Sequence, residues 1–489
     1  MRVCLINPPR PYPKNWGKPS IFQPLDIAYI AAMLEKNHEV RVIDAIAEGW
    51  RTLQQVDEMS YLQGLKNDEI ASRVRDWSPE VVGITIPFSG WSRPMYDVAS
   101  AVKSVDKDII TFLTGLHPST RPEDCLAHPD INFAVIGEPE YTVSELADTL
   151  EHKGHIKELK KVNGIGFVNE GKIVITSPRP AIQDLDSLPF PARHLLPIDT
   201  YFAAVKENPL RAEVCKPWAT MVTSRGCPYT CIFCPNYNVT GRQWRGRSPE
   251  NVVDEIEQLV RTYRIKQIDF FDDNMTLNKK RMEDICDLIV KRRLDIEWFT
   301  PNGVRADTLD ENLLRKMKAS GCMNVRVAPE SGVQRVVDQV IKKKQNLKDV
   351  EKAVVLAKKV GIKVGCFFVI GLIGETKKDI EETINYAYKL RKLGADRFYF
   401  SIAMPIYGTE LYEQAKRCGY LKKDFSDDSL GDLSPLIETP EFTAAEVLEL
   451  SNRANLINQA LTINKLVKAI RDPKKAIKFL LGKPSSNKT

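Results

Sequence analysis

Cys227-Pro228-Tyr229-Thr230-Cys231-Ile232-Phe233-Cys234 gathers three of the chain's ten cysteines into eight residues. Three and then two residues separate them, a spacing that lets three thiolates converge on one inorganic centre. A four-iron, four-sulfur cluster has four iron corners, so three cysteines leave one iron open to bind and reduce a substrate instead of only passing electrons. A structural zinc wants four closed ligands in two pairs. Here the next cysteine, Cys215, lies twelve residues upstream and no histidine is near. Disulfide geometry disfavours a bridge inside so tight a triplet, and an electron-carrying ferredoxin would repeat its cysteines to close the fourth corner. The stretch therefore predicts a cluster with one differentiated iron.

The rest of the chain is long enough to build a domain for that cluster and at least one more: 489 residues suggest two to four domains. Its hydrophobic share of 43% against 27% charged residues is an ordinary soluble balance, and no apolar run is long enough to span a bilayer. Met1-Arg-Val-Cys-Leu-Ile reads directly as a strand with no signal peptide ahead of it. Ten cysteines with only three clustered speak for a reducing compartment, so the sequence reads as cytoplasmic. The net charge of +6 is uneven: residues 453–489 hold nine Lys or Arg against the single acidic Asp472, leaving the remainder slightly negative. Without a basic, aromatic-rich stripe elsewhere, a nucleic-acid partner is not expected.

Residues 1–150 read as a doubly wound α/β domain. Apolar bursts at residues 3–6, 40–43, 81–86, 109–113 and 133–136 alternate with helical patterns at 26–36, 68–76 and 92–105. Such a pattern means a parallel sheet that binds its ligand at the carboxyl ends of the strands. Those ends carry Asn7-Pro8-Pro9, Asp44, Thr85 to Ser89, Thr114-Gly115-Leu116-His117 and Gly137-Glu138-Pro139-Glu140. The residues suit a wall for a large flat ligand, although any such sheet has small and turn-forming residues there. The glycine fingerprint of a dinucleotide fold is absent.

Residues 151–215 read as a linker with a hairpin at 164–176 and a proline-pinned extended run from Ile182, in which His194 is structural. From 216 to 425, six strand candidates (220–223, 268–271, 296–300, 324–328, 363–370 and 397–402) alternate with helices, which predicts an incompletely closed parallel barrel. The cysteine triplet follows its first strand. Asp272-Asp273 after the second strand could receive an amino group, or Asn274 could cap a helix. Further strand ends bring Asn302, then Arg326 with Glu330 and Ser331, whose carboxylate could accept two ribose hydroxyls, then Gly371 and Gly374, which permit close approach of a flat ring. Residues 426–489 read as a helical, basic region. Its apolar stripe fits a helix packed on the barrel, or contact with an anionic membrane surface or acidic partner.

The first half, through Ile6-Asn7-Pro8-Pro9, Val42-Ile-Asp-Ala45, Thr114–Asp124 and Val135-Ile-Gly-Glu-Pro-Glu140, resembles the cobalamin-binding domain found ahead of many radical S-adenosylmethionine (radical SAM) enzymes. The second half resembles the radical SAM superfamily through its full CxxxCxxC signature. The resemblance implies cobalamin contacts from Pro8, Pro9, Thr85, Ser89, Gly115, Leu116, His117, Gly137 and Glu138, with His117 along the nucleotide tail. No histidine lies in the loop from Asn7 to Trp16, so no protein imidazole is expected on the cobalt. It also implies a [4Fe-4S] cluster on Cys227, Cys231 and Cys234, and S-adenosylmethionine beside Phe233, Asp272, Asp273, Asn302, Arg326, Glu330, Ser331, Gly371 and Gly374. Departures from the family pattern are Thr114 for a glycine, Ile373 for a proline and Ala328-Pro329 before Glu330.

The activity so implied is a 5′-deoxyadenosyl radical that removes a hydrogen atom from an unactivated position, followed by methyl transfer from methylcobalamin to carbon or phosphorus. A radical cyclase acting on a lipid or tetrapyrrole without methyl transfer is the alternative, and a non-catalytic cobalamin or redox carrier is the alternative of another class. The partners implied are a small-molecule substrate, leaning to a lipid or isoprenoid if the basic tail meets a membrane, and an external electron donor such as flavodoxin or ferredoxin.

Overall fold

The computed structural model describes residues 1–14, 20–56, 60–152, 156–207, 216–431 and 434–458. Its first sheet has seven strands: β1 (Arg2–Asn7), β2 (Glu39–Asp44), β3 (Val81–Thr85), β4 (Ile110–Thr114), β5 (Phe133–Val135), β6 (Ile165–Asn169) and β7 (Lys172–Ile175). They lie in the order β7-β6-β5-β4-β3-β1-β2. The five strands from β1 to β5 are parallel, with residues such as Val3, Val81 and Ile84 fully buried because helices cover both faces. The hairpin of the linker is not free-standing: β6 pairs antiparallel with β5 and extends the sheet.

The second sheet is the barrel: β8 (Trp218–Met221), β9 (Gln267–Phe270), β10 (Glu297–Val304), β11 (Cys322–Glu330), β12 (Lys363–Ile370) and β13 (Arg397–Ile402), all parallel and paired in that order. The crossover helices are written plainly in the chain. Pro249–Tyr263 starts at the Ser248 cap, buries Val252, Val253, Ile256 and Leu259 on one stripe, and stops at Arg264 in the left-handed conformation. Lys377–Leu393 opens with a Thr376/Asp379 capping box and stops at Gly394, φ 119°.

Because β8 and β13 do not pair, each leaves an open ladder edge. Two side-chain amides occupy those edges. Gln23, from the first domain, donates to Trp218 O at 3.0 Å and accepts from Thr220 N at 3.3 Å. Asn458, after helix Ala444–Asn455, does the same for Phe398, at 2.6 and 3.0 Å. The short helix Asp427–Gly431 then reaches back to the first domain. Asp427 accepts from Tyr407 Oη at 2.7 Å and Ser92 Oγ at 3.2 Å. A Cβ on Gly90 would lie 2.4 Å from Gly431 N, so the two backbones touch. His194 bonds Glu35 at 2.9 Å, a structural contact.

The turn after β12 carries a buried acid. Glu375 accepts from Leu372 N at 2.8 Å through one oxygen, and its other oxygen is buried with no hydrogen-bond partner among the described residues. Burial pushes its pKa from 4.5 up to about 8. The folded chain therefore holds a proton that the unfolded chain releases, so this group's contribution to stability is greatest below pH 4.5 and is lost as pH rises through 8. Glu375→Gln, which imitates the protonated acid, is expected to flatten that decline in denaturant titrations between pH 5 and pH 9. Parallel pH profiles of variant and parent would count against a protonated Glu375.

Candidate active site at the barrel mouth

The loop that carries the cysteines leaves β8 and has little regular backbone of its own, so side chains hold it. Asp272, at the end of β9, accepts from Thr223 N (3.1 Å), Thr223 Oγ1 (2.7 Å) and Ser224 Oγ (2.6 Å). Burial raises its pKa, and the hydrogen bonds from Ser224 and Thr223 oppose that rise. Asp273 accepts from Gly226 N (3.1 Å), Asn236 Nδ2 (2.7 Å) and Thr240 Oγ1 (2.9 Å). It ties the chain just before Cys227 to the chain just after Cys234. Arg281 donates to Thr223 O and Arg247 O, both at 2.6 Å, from beneath.

Cys227, Cys231 and Cys234 all face one cavity of about 460 Å³, within the range of small-molecule sites. Among the described residues lining it there is no fourth cysteine and no histidine, which fits a cluster with one open corner. Burial pushes the Cys231 thiol up to about 11 and the Cys234 thiol up to about 12, so a positively charged partner is needed to hold both as thiolates. Asn274 lies on the same wall. Its Nδ2 sits 4.0 Å from Cys227 Sγ, and its buried Oδ1 has no partner among the described residues.

Glu330 enters the cavity from the end of β11. The register with β12 shifts between Val327 and Glu330, and Glu330 takes φ 64°. A left-handed residue that is not glycine costs about 1–2 kcal/mol, and such a cost persists at sites where it serves a task. Lys343 Nζ donates to Glu330 Oε1 at 2.6 Å, with both side chains nearly buried. Arg305, from the end of β10, lies 3.7 Å over the Tyr229 ring and is itself held by Asp307 and by Lys343 O. Asn302 lines the cavity while donating to Phe271 O at 2.9 Å, and Phe233 borders it beside Cys234. Phe367, Phe368 and Val369 form an apolar side.

Several residues singled out in the sequence stand elsewhere. Asp272 turns away to lock β8. Arg326 is not on the cavity wall: it donates to Pro301 O at 2.8 Å and lies over the rings of Phe367 and Tyr399. Ser331 is buried and bonds Thr383 Oγ1 at 2.9 Å, docking its turn on helix Lys377–Leu393. Gly371 and Gly374 have φ 83° and 97°, and their missing Cβ atoms make room for Val447 and Val340, not for a cavity.

At the strand ends of the first domain, Pro8 and Pro9 are buried, and Pro9 packs on Gly64. Thr85 donates to Asp26 at 2.8 Å. His117 is fully buried with Ser89 Oγ 3.0 Å from Nδ1 and Tyr96 Oη 2.9 Å from Nε2, and burial lowers its pKa. At Gly115, φ 112°, a Cβ would meet Ile86 O at 2.5 Å. Leu116 opens the short helix Leu116–Thr120, which packs on Tyr237–Thr240 of the cluster loop, and Gly137 faces Val239 O. Glu138 is directed into ion pairs with Arg225 and Arg245 of the second domain. Arg225, Arg245 and Lys343 carry no site signal in the sequence, and Glu140, at a strand end read as a ligand wall, pairs with Arg225 instead. Lys343 sits in a Lys342-Lys343-Lys344 run that looks like a solvated surface, and only its burial distinguishes it.

Comparison with known proteins agrees with this arrangement. The Radical SAM superfamily description matches residues 221–387, and the B12 binding domain description matches residues 19–147. An uncharacterized methyltransferase, PH0819, of Pyrococcus horikoshii is 33% identical over 93% of this chain and 91% of its own. Cytidylyl-2-hydroxyethylphosphonate methyltransferase of Streptomyces wedmorensis is 30% identical over 93% of this chain and 89% of its own. Anaerobic magnesium-protoporphyrin IX monomethyl ester cyclase of Rubrivivax gelatinosus is 27% identical, covering 94% and 77%. The radical S-adenosylmethionine methyltransferase TsrM of Kitasatospora setae shares the fold, with a TM-score of 0.67 at 18% identity over 86% of this chain and 76% of that one. This chain belongs to the family of radical SAM enzymes that carry a B12-binding domain, and its cofactors are a [4Fe-4S] cluster, S-adenosylmethionine and cobalamin.

Proposed function

We propose that the enzyme methylates an unactivated carbon or a phosphorus atom of a small molecule. The observation that carries this reading is the seating of the cluster loop on the first domain: the helix at Leu116–Thr120, after a strand end of that domain, packs on Tyr237–Thr240 just beyond Cys234. When bound, the cluster and S-adenosylmethionine supply a 5′-deoxyadenosyl radical, and cobalamin supplies the methyl group. The chain's own residues position and shield. Glu330 would offer its second oxygen to ribose hydroxyls while Lys343 fixes the first. Phe233, on the cavity wall next to Cys234, would pack against the adenine ring, and Asp273 keeps the cysteines in register. The apolar side at Phe367 to Val369 keeps water away from a reactive carbon.

Two relatives named as methyltransferases, one of them uncharacterized, at 33% and 30% identity over nearly the whole chain, favour methyl transfer over ring closure. The cyclase at 27% identity keeps a radical cyclisation as the second reading. An external one-electron donor such as flavodoxin or ferredoxin and a cytoplasmic location complete the proposal. Contact of the basic C-terminal region with a membrane, and a lipid or isoprenoid substrate, rest on the apolar stripe and positive charge of its sequence, most of which, residues 459–489, lies outside the described residues. Among the described residues no helix is long and apolar enough to cross a membrane.

The test is anaerobic reconstitution with S-adenosylmethionine carrying an isotopic methyl group. Formation of 5′-deoxyadenosine with label in the product supports methylation. Formation of 5′-deoxyadenosine with an unlabelled, oxidised or cyclised product transfers the assignment to a cyclase. Cys231→Ala is expected to lose bound iron and all 5′-deoxyadenosine formation. Glu330→Gln, which removes a charged acceptor, is expected to keep the cluster and weaken S-adenosylmethionine binding by ~10–100-fold, read by equilibrium titration. Unchanged affinity in Glu330→Gln would remove the ribose role.

A further inference from the structure

Arg225 stands two residues before Cys227, and its guanidinium leaves its own domain. Nη1 reaches Glu138 Oε1 at 3.1 Å and Nη2 reaches Glu140 Oε1 at 2.5 Å, with the Tyr29 ring 5.3 Å away. All three partners belong to the first domain. Arg245 lies directly opposite Arg225 in a short antiparallel pair, and its Nη1 takes the second oxygen of Glu138 at 2.8 Å. One carboxylate thus forks between two arginines on adjacent backbone segments, which would otherwise repel each other. The side chains of Glu138, Glu140 and Arg245 are almost wholly buried, and that of Arg225 is 11% exposed. Glu138 also accepts from Ile182 N at 2.8 Å, which anchors the extended linker to the same point. The far arm of the cluster loop is docked too: Asn238 Nδ2 donates to Gly408 O at 3.2 Å beside Thr120.

We propose that Glu138, Glu140, Arg225 and Arg245 form a positioning clamp that fixes the cluster loop relative to the cobalamin domain and so sets the separation of the two metal centres. These are positioning residues, since none of them lines the cysteine cavity. The ion pairs are short, charge-assisted and shielded from water, so the loop's height over the sheet is held by directional bonds and not only by apolar packing. A residue that binds cobalamin would present its carboxylate to solvent or ligand; Glu138 instead spends both oxygens on protein donors.

The proposal rests on the cofactor assignment and is independent of methyl transfer, because its main readout needs no substrate. Holoenzyme with cobalt(II) cobalamin and reduced cluster carries two unpaired spins whose dipolar coupling reports their separation. Arg225→Lys and the isosteric Glu140→Gln are expected to retain iron and cobalamin at parent stoichiometry. Their coupling should weaken and spread over a broader distance distribution. Product formed per S-adenosylmethionine cleaved should fall ~10–100-fold, as for an ångström-scale misplacement. Glu255→Gln serves as control: it breaks an equally buried pair, with Arg193 at 2.6 Å and Arg247 at 2.5 Å, that bonds neither Glu138 nor Glu140 and touches the first domain through Arg247 Nη1 and Tyr29 Oη at 3.5 Å. It is expected to lower thermal stability and leave the coupling as in the parent. A parent-like coupling in Glu140→Gln overturns the clamp, and so does an equal weakening in Glu255→Gln, which would indicate general loosening.

Discussion

A loop that must present three sulfurs to one centre, without a helix or strand of its own, keeps its shape only through side chains that replace the missing backbone ladder. Here two adjacent carboxylates divide that work. Asp272 pins the departing end of β8, and Asp273 draws the two arms of the loop together. Arg281 satisfies carbonyls beneath them. Breaking a buried polar contact of this kind leaves its partner unpaired in a low-dielectric setting, at a cost of several kcal/mol for a charged group. The cluster site is therefore a property of the β8–β9 junction as much as of the cysteines.

The same economy explains the cavity wall. Lys343 neutralises Glu330 and Asp307 neutralises Arg305, so charged groups can stand beside an apolar barrel side without a net buried charge. The bulge that lifts Glu330 into the left-handed region trades backbone ease for a side chain aimed at the cavity. Pairing also orients: a carboxylate with one oxygen held by an ammonium has the other directed to a single place.

Local pattern made much of this visible in advance. Both sheets, the strand order along the chain and the position of the cysteine triplet follow from alternation of apolar bursts with capped helices, and these are short-range signals. The site residues divide by the same rule. Phe233, Asp273, Asn302 and Glu330, each at a strand end or in the triplet, reach the cavity. Asp272 and Ser331 spend their hydrogen bonds inside the fold and the two glycines make room for neighbouring side chains, because alternation along a turn decides which neighbour faces inward and sequence does not fix that phase. Arg225 with Glu138, and Lys343 with Glu330, could not be read at all. The first pair is 87 residues apart in the chain, and the second hides in a lysine run. Long-range ion pairs leave no periodic trace.

The return of the chain at Asp427–Gly431 gives the molecule the mechanics of a buckle. The polypeptide passes from the first domain into the barrel, goes round six strands, and comes back to grip the first domain at Ser92 and Gly90. A single tether would let one domain swing about a hinge. Attachment at widely separated points in the chain removes that freedom, and the bonds of Gln23, Glu138 and Glu140 to the barrel act in the same sense.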